Sequence, residues 1–292
     1  MNLKTLAFAF SLSTAWSVTA AAQTSLELLH GWDYNDDFNG DAERTVLSIK
    51  TFQVWPYGTF FMYYDITGPF TPPDASVLPN EKGGFFGGTS LTLSVKQIGE
   101  KIATVSQDAP KPQKGEKDPK KKPVVWDWGA LGDFSLRYEI EHVSKFGALH
   151  YYGVQFDLRI PHFDFVSMTA VIRDDWALSA VDLQLGGAWQ TTIPVWDITD
   201  IVFAGFFSWG MFGEGTGVFT AGPNDDGSYA EIPIEGRPFF ITQPQLMVDV
   251  GKLVRVANGK VYTGIEYQFA FNRYLQKGIN EHVPQLLFKW NL

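Results

Sequence analysis

The stretch F-S-L-R-Y-E-I-E, Phe134 to Glu141, alternates without a break: Phe134, Leu136, Tyr138 and Ile140 are apolar, while Ser135, Arg137, Glu139 and Glu141 are polar or ionic. Successive side chains of a β-strand point to opposite sides, so this segment makes a strand with one greasy face and one ionic face. The same pattern returns in His150–Ile160, Val181–Gln190 and Val261–Asn272. Helical periodicity appears nowhere on that scale, and the chain reads as all-β.

Breaker residues divide the chain into about twelve candidate strands. They lie near residues 24–32, 43–53, 58–67, 88–97, 132–142, 148–160, 162–173, 179–193, 200–212, 238–250, 259–272 and 283–292. Most are about ten residues long, more than the ~5–6 usual in globular sheets and matched to the ~9–11 that cross a bilayer obliquely. The run His162–Arg173 is out of step, because the parity of Phe163 and Phe165 passes to Val166, Met168 and Ala170. A β-bulge or a misplaced boundary explains it. Some connections are tight: W-P-Y-G at 55–58, the Pro161-His162 corner and I-P-V-W-D at 193–197. Two are long, 68–87 and 213–237, and both fall on the extracellular side if the N-terminus is periplasmic, as outer-membrane barrels prefer.

Alternation does not say which face is inside; a soluble barrel around a greasy cavity shows it inverted. Three features favour lipid outside and water inside. The polar rows carry Arg, Asp, Glu, Gln, Asn and Gly but little Lys, and eight of the sixteen Lys crowd between Lys96 and Lys122. The last candidate strand, V-P-Q-L-L-F-K-W-N-L, places Leu286, Phe288, Trp290 and Leu292 on one face, with Gln285, Leu287, Lys289 and Asn291 on the other. An apolar aromatic closing strand is also how such barrels present themselves to the barrel-assembly machinery, although Leu292 stands where Phe is usual. The third feature is the start, M-N-L-K followed by an apolar run and an A-x-A pattern at Ala20 and Ala22, which reads as a secretory signal over residues 1–22. The expectation is a monomeric transmembrane antiparallel up-and-down β-barrel over residues 23–292, in contact with outer-membrane lipid of a Gram-negative bacterium. About twelve strands imply a narrow lumen that passes one small solute at a time.

Residues 98–125, with A-P-K-P-Q-K-G-E-K-D-P-K-K-K-P, interrupt this pattern. Their composition reads as a disordered solvated insertion on the periplasmic side, or as a basic tether to an anionic envelope polymer or lipid head group. The net charge of −9 becomes −10 without Lys4 and argues against nucleic-acid binding. The absence of Cys excludes disulfides and thiol chemistry.

Several segments resemble the Tsx-like family of nucleoside-specific outer-membrane channels: Y-G-T-F-F-M-Y-Y-D-I-T at 57–67, W-Q-T-T-I-P-V-W-D at 189–197, P-F-F-I-T-Q-P-Q-L-M-V-D-V at 238–250 and Y-T-G-I-E-Y-Q-F-A-F-N at 262–272. The resemblance is spread over most of the chain after residue 22, with no counterpart for 98–125. It implies a twelve-stranded barrel, passive diffusion of nucleosides and a lumen lined by aromatic and ionisable groups.

The residues point the same way. Phe61, Tyr63 and Asp65 share a face opposite the wholly apolar row Phe60, Met62, Tyr64 and Ile66, so they belong inside, where an aromatic can stack a nucleobase for roughly 1–3 kcal/mol. Tyr151 and Tyr262 are further inward aromatics. Gln155, Asp157, Gln184, Glu266, Gln268 and Asn272 have inward parity and can serve ribose and base edges. Arg137, Glu139, Glu141 and Arg159 can form ion-pair rows that shape the pore field. Barrel-interior packing and structural salt bridges are the alternative roles for all of these. At the level of the whole protein, the alternative is a barrel without solute selectivity, serving in assembly or adhesion through its long loops.

Enzymatic chemistry finds little purchase. His142 and His150 flank Ser144 at facing strand ends, as a lipid hydrolase would need, but no orienting pattern accompanies them. D-Y-N-D-D-F-N-G-D at 33–41 begins like a Ca²⁺ loop, yet Val46 stands where the closing Glu is required. Neither a metal nor a cofactor is expected.

Overall fold

The computed structural model describes residues 22–34, 43–70, 85–106, 123–143, 147–175, 180–213, 216–223, 229–235, 237–273, 277–278 and 280–292. In chain order the strands are β1 (Ala22–Trp32), β2 (Glu43–Trp55), β3 (Gly58–Thr67), β4 (Phe85–Ser94), β5 (Leu131–Val143), β6 (Gly147–Leu158), β7 (Phe165–Asp175), β8 (Ala180–Val195) and β9 (Thr199–Gly210). They continue as β10 (Thr216–Pro223), β11 (Tyr229–Glu235), β12 (Phe239–Thr242), β13 (Gln245–Asp249), β14 (Val261–Phe271) and β15 (Glu281–Asn291). Two helices, α1 (Val95–Ser106) and α2 (Val250–Leu253), follow β4 and β13.

Consecutive strands pair antiparallel from β1 to β9, and β14 pairs with β15. The ring closes where β1 pairs with β15, Leu28 opposite Phe288. β12 and β13 are halves of one stave. Thr242 faces Phe207 and Gln245 faces Ala204 in a single unbroken register, and Pro244 between them has no N–H to give the ladder. The result is a closed antiparallel barrel of twelve staves. β10 and β11 form a separate hairpin beyond the loop end of the barrel. Among the described residues no helix is long and apolar enough to cross a membrane, so any crossing is made by strands.

The inside and outside of the wall follow from exposure. On β5 Leu136 is 54% exposed and Ser135 only 2%. On β14 Ile265 is 55% exposed and its neighbour Glu266 only 4%. On β15 burial alternates over all its length, with Glu281, Val283, Gln285, Leu287 and Asn291 buried between exposed His282, Pro284, Leu286, Phe288 and Trp290. The greasy rows therefore face out. A soluble arrangement would bury them and expose the charges; the inverse arrangement is what hydrocarbon solvent requires.

Three boundaries differ from those expected. The run 162–173 contains no bulge: β7 begins at Phe165 and pairs in one register with β6 and β8, while Phe163 belongs to the preceding turn. The bulge lies in β5, between Leu131 and Asp133. The strand expected over 88–97 stops at Ser94, because the Ser94 hydroxyl accepts from the Gln97 backbone N–H at 2.9 Å and caps α1. Residues 98–106 of the expected disordered insertion are thus helical. Residues 123–128 return along that helix: Thr104 Oγ1 accepts from Val124 N at 2.8 Å and Glu100 Oε1 from Trp126 N at 2.5 Å. Residues 107–122 lie outside the described residues, as do 1–21 of the expected signal segment.

The outward row is expected to be intolerant of charge. Ile265→Arg, at the middle of β14, should lower folding stability in a bilayer by about 2–4 kcal/mol, whereas the inward Ser167→Arg should cost much less. Urea titration of the barrel refolded into vesicles checks both.

Candidate functional site

The inward rows assemble two polar networks on adjoining parts of the wall, which meet where Lys50 of β2 stands opposite Tyr63 of β3. The first starts from β3. Phe61 and Tyr63 stack with ring centroids 5.9 Å apart, two residues apart on one face of the strand. Gly88, opposite Tyr63 on β4, leaves room for that ring; a Cβ there would stand 2.7 Å from it. The Tyr63 hydroxyl reaches past β4 and donates to Glu141 Oε1 on β5 at 3.1 Å. Tyr151 on β6 donates to the other oxygen of the same carboxylate. Below it Arg137 holds Glu139 through Nε at 3.0 Å and Nη2 at 2.5 Å, and gives Nη1 to Gln155 at 2.6 Å. Gln155 passes its amide on to Asp157 at 2.8 Å. The network descends as a ladder of Tyr, carboxylate, guanidinium and amide groups in register across β3, β5 and β6.

The second network is centred on Glu27 of β1, which is 1% exposed. Lys50 of β2 binds its Oε2 at 2.6 Å and Lys289 of β15 its Oε1 at 3.1 Å. Gln245 of β13 donates to Glu266 at 2.6 Å, and Gln285 donates to the other Glu266 oxygen at 2.9 Å. Tyr34, just past the end of β1, turns inward to donate to Gln285 at 2.8 Å beneath the Arg44 guanidinium, 4.4 Å from its ring centre. Burial pushes the Tyr34 hydroxyl above the ordinary tyrosine range against the pull of Arg44, so it stays a donor at neutral pH. Higher on the same wall Gln243 donates to Gln268 and Gln268 to Glu281, each at 2.5 Å, and Arg273 pairs with Glu281. Asp65 accepts from Ser48 on the adjoining β2.

Between the charged groups lies an apolar patch that also faces in: Leu29, Val202, Met247 and Leu287, with Tyr262 packed against it. Inward-facing Gly264 permits it, since a Cβ there would lie 2.0 Å from the Leu246 carbonyl oxygen. The lumen is amphipathic around its circumference rather than uniformly polar.

Of the residues expected to line the lumen, Phe61, Tyr63, Asp65, Arg137, Glu139, Glu141, Tyr151, Gln155 and Asp157 gather on the β3–β6 side. Glu266, Gln268, Tyr262 and Asn272 lie on the β14 side, where Asn272 holds the Pro238 carbonyl at 2.9 Å. Gln184 has inward parity on β8, opposite Val171 and Gly210, apart from both networks. Arg159 is corrected: it follows the end of β6, is half exposed, and bonds Asp127 at 2.9 Å in the connection before β5. The Gly129 N–H, followed by Arg159, holds the Asp127 carboxyl below its ordinary range. Arg159 therefore fastens one rim of the barrel and does not line its interior.

Sequence reading missed Glu27, Lys50, Lys289, Gln245 and Glu281. Lys289 shares its face with Gln285 and Asn291 in the sequence, but apolar Leu287 on that row obscures its meaning. For Lys50 the strand pattern is blurred by Thr45, Thr51 and Gln53 on the outer row. His150 faces out and meets the Tyr138 hydroxyl at 2.9 Å; Ser144 and the acidic stretch 35–42 lie outside the described residues.

No family model and no curated protein matches the chain in sequence. Two solved structures align with the chain over most of its length. The NanC porin has 6% identity and a TM-score of 0.48, covering 91% of this chain and 100% of its own. The channel DcaP of Acinetobacter baumannii has 11% identity and a TM-score of 0.27, covering 94% of this chain and 97% of its own. At these values neither likeness bears on the solute.

Lys50→Met should leave Glu27 buried with Lys289 as its remaining cation, at a cost of about 3 kcal/mol, and Glu27→Gln in the same chain should restore much of it. A double-mutant cycle on denaturant unfolding reads the difference.

Proposed function

We propose that this barrel is a monomeric outer-membrane channel for passive diffusion of small, uncharged polar aromatic solutes, nucleosides foremost. The observation that carries the reading is the pair of inward rings, Phe61 and Tyr63, beside the carboxylate of Glu141. A flat base can lie on the rings, and the hydroxyls of a sugar can exchange hydrogen bonds with the Gln155–Asp157 and Gln245–Glu266 pairs. Both halves of such a solute thereby find a counterpart.

The same arrangement discriminates by charge. Glu139, Glu141 and Asp65 stand beside the aromatic shelf, so a phosphorylated solute meets repulsion where a nucleoside meets none. Release is served by the distribution of groups: amides and carboxylates recur along the wall in series. Weak consecutive sites are what a conducting channel needs. Transport to the membrane by a signal over residues 1–22, and assembly through β15, belong to the same proposal. The resemblance to the Tsx-like family supports the choice of solute class.

In a liposome-swelling assay, adenosine should enter faster than adenosine monophosphate and faster than an aliphatic sugar of equal size. Phe61→Ala with Tyr63→Ala should abolish that preference while the protein keeps the heat-modifiable migration of a folded barrel. Equal entry of all three solutes through the unaltered protein would leave an unselective barrel and sink the reading.

A further inference from the structure

The cations of the interior do not reach all of its acids. The ion pairs of the inward rows join Lys50 and Lys289 to Glu27, Arg137 to Glu139 and Arg273 to Glu281. Asp65, Glu141, Asp157 and Glu266 are held by neutral groups instead. Asp65 takes the Ser48 hydroxyl, Glu141 the Tyr63 and Tyr151 hydroxyls, Asp157 the Gln155 amide, and Glu266 the Gln245 and Gln285 amides. Lys50 and Arg173, opposite Tyr63 and Tyr151, lie farther from these four carboxyl groups. Asp65, Glu141 and Asp157 are partly exposed within the barrel.

The direction of the hydrogen bonds fits the ionised form of these acids. A guanidinium can only donate, so Arg137 draws the Gln155 carbonyl toward itself and leaves the Gln155 N–H for Asp157. Glu27 lies between two ammonium groups, so the Gln245 atom 3.4 Å from its Oε2 is the amide nitrogen, which also donates to Glu266 at 2.6 Å. The other Glu266 oxygen takes the Gln285 N–H, while the Gln285 carbonyl accepts from Tyr34. A proton on either Glu266 oxygen would point at an N–H, which cannot accept it. Further inward groups do not reverse the balance. Asp133 and Asp182 add to the acids, and Arg44 and Arg173, each over an aromatic ring, add to the bases, so acid exceeds base on the described inward rows.

The carboxyl groups held by neutral donors are also spread along the barrel. Asp157 is next to last in β6, at the turn end, Glu266 lies midway along β14, and Glu141 stands two residues before the end of β5 at the loop side. Spaced carboxylates that no cation neutralises attract cations, repel anions and let each ion leave one position for the next. We infer that the interior is a cation-selective path, along which small monovalent cations pass by Asp157, Glu266 and Glu141 ahead of anions of equal size. The inference rests on the proposed channel and adds an ionic cargo to it. A neutral nucleoside is served by rings and amides, a cation by the carboxylates.

The test inserts the full protein in a planar bilayer at mildly alkaline pH under a KCl gradient, where the zero-current potential gives the permeability ratio of K⁺ to Cl⁻. The expected ratio is several-fold in favour of K⁺. It should fall toward one as mean salt rises from about 0.1 M to about 1 M and the screening length drops from ~10 Å to ~3 Å. Glu141→Gln combined with Asp157→Asn should also bring it toward one. Asp174→Asn removes the same charge from the outward face, opposite His150, and should leave it unchanged. Adenosine entry is measured on the same preparations by liposome swelling. A ratio of one or below in the unaltered protein, or no current at all, with adenosine still entering, overturns the inference and leaves the nucleoside reading standing. A ratio that survives the loss of both carboxylates overturns it as well. Absence of both current and adenosine entry overturns the two together. Folding of each variant is checked by heat-modifiable migration. If the double variant does not fold, the unaltered protein decides: a ratio that ignores salt overturns the inference.

Discussion

The structure depends on pairing every backbone N–H and C=O of the wall within the protein. Hydrocarbon offers no partner to a free peptide group, and each one left open costs several kcal/mol. An open sheet of twelve staves would carry two such edges. The pairing of β1 with β15 removes both, and the rest of the molecule is arranged around that closure. The stave that Pro244 interrupts between β12 and β13 keeps its register, and Pro194 in β8 and Pro284 in β15 likewise sit in the wall without an N–H. The Gln243 N–H reaches the Phe206 carbonyl, and the Pro244 carbonyl accepts from Tyr267. At Pro244 the gap is confined to one missing N–H.

Closure also sets the economy of the interior. Twelve staves enclose too little space for a wide aqueous channel, so inward side chains meet their neighbours along the wall. This is why Glu27 and Glu281 are almost completely covered, and why each is held by nearby cations: Lys50 and Lys289 on the adjoining strands for Glu27, and Arg273 just past the end of β14 for Glu281. A buried carboxylate without such partners would carry an uncompensated desolvation cost. The same crowding lines up the rings of Phe61 and Tyr63 with Glu141 and Tyr151. The inward apolar patch of Leu29, Val202, Met247 and Leu287 has no counterpart among the polar groups expected of a wet lumen. It gives one side of the interior a surface that offers water little.

The ends of the barrel follow a different logic from the wall. At the turn end, Asp249 is fully buried and accepts from the Lys252 and Gly259 backbone N–H groups, fixing the connection that contains α2, while Lys252 reaches Asp200 at 2.6 Å. Arg159 and Asp127 tie the approach to β5 in the same way. Polar side chains here fasten connections to one another, a task for which the strand alternation gives no cue.

The sequence by itself determined the class of fold, the number of staves and which rows face lipid, because a period of two over ten-residue segments records a wall with different solvents on its two sides. Parity along a strand also gives the sidedness of each residue once one face is assigned. Only the tertiary structure decided what depends on register between strands far apart in the chain. Glu27 meets Lys289 because the first and last strands close, and Tyr63 meets Glu141 across the intervening β4. It also decided the change from strand to helix at Ser94, where a hydroxyl cap on the Gln97 N–H outweighs a short apolar alternation, and the removal of Arg159 from the pore, where the strand ends one residue before its parity could count.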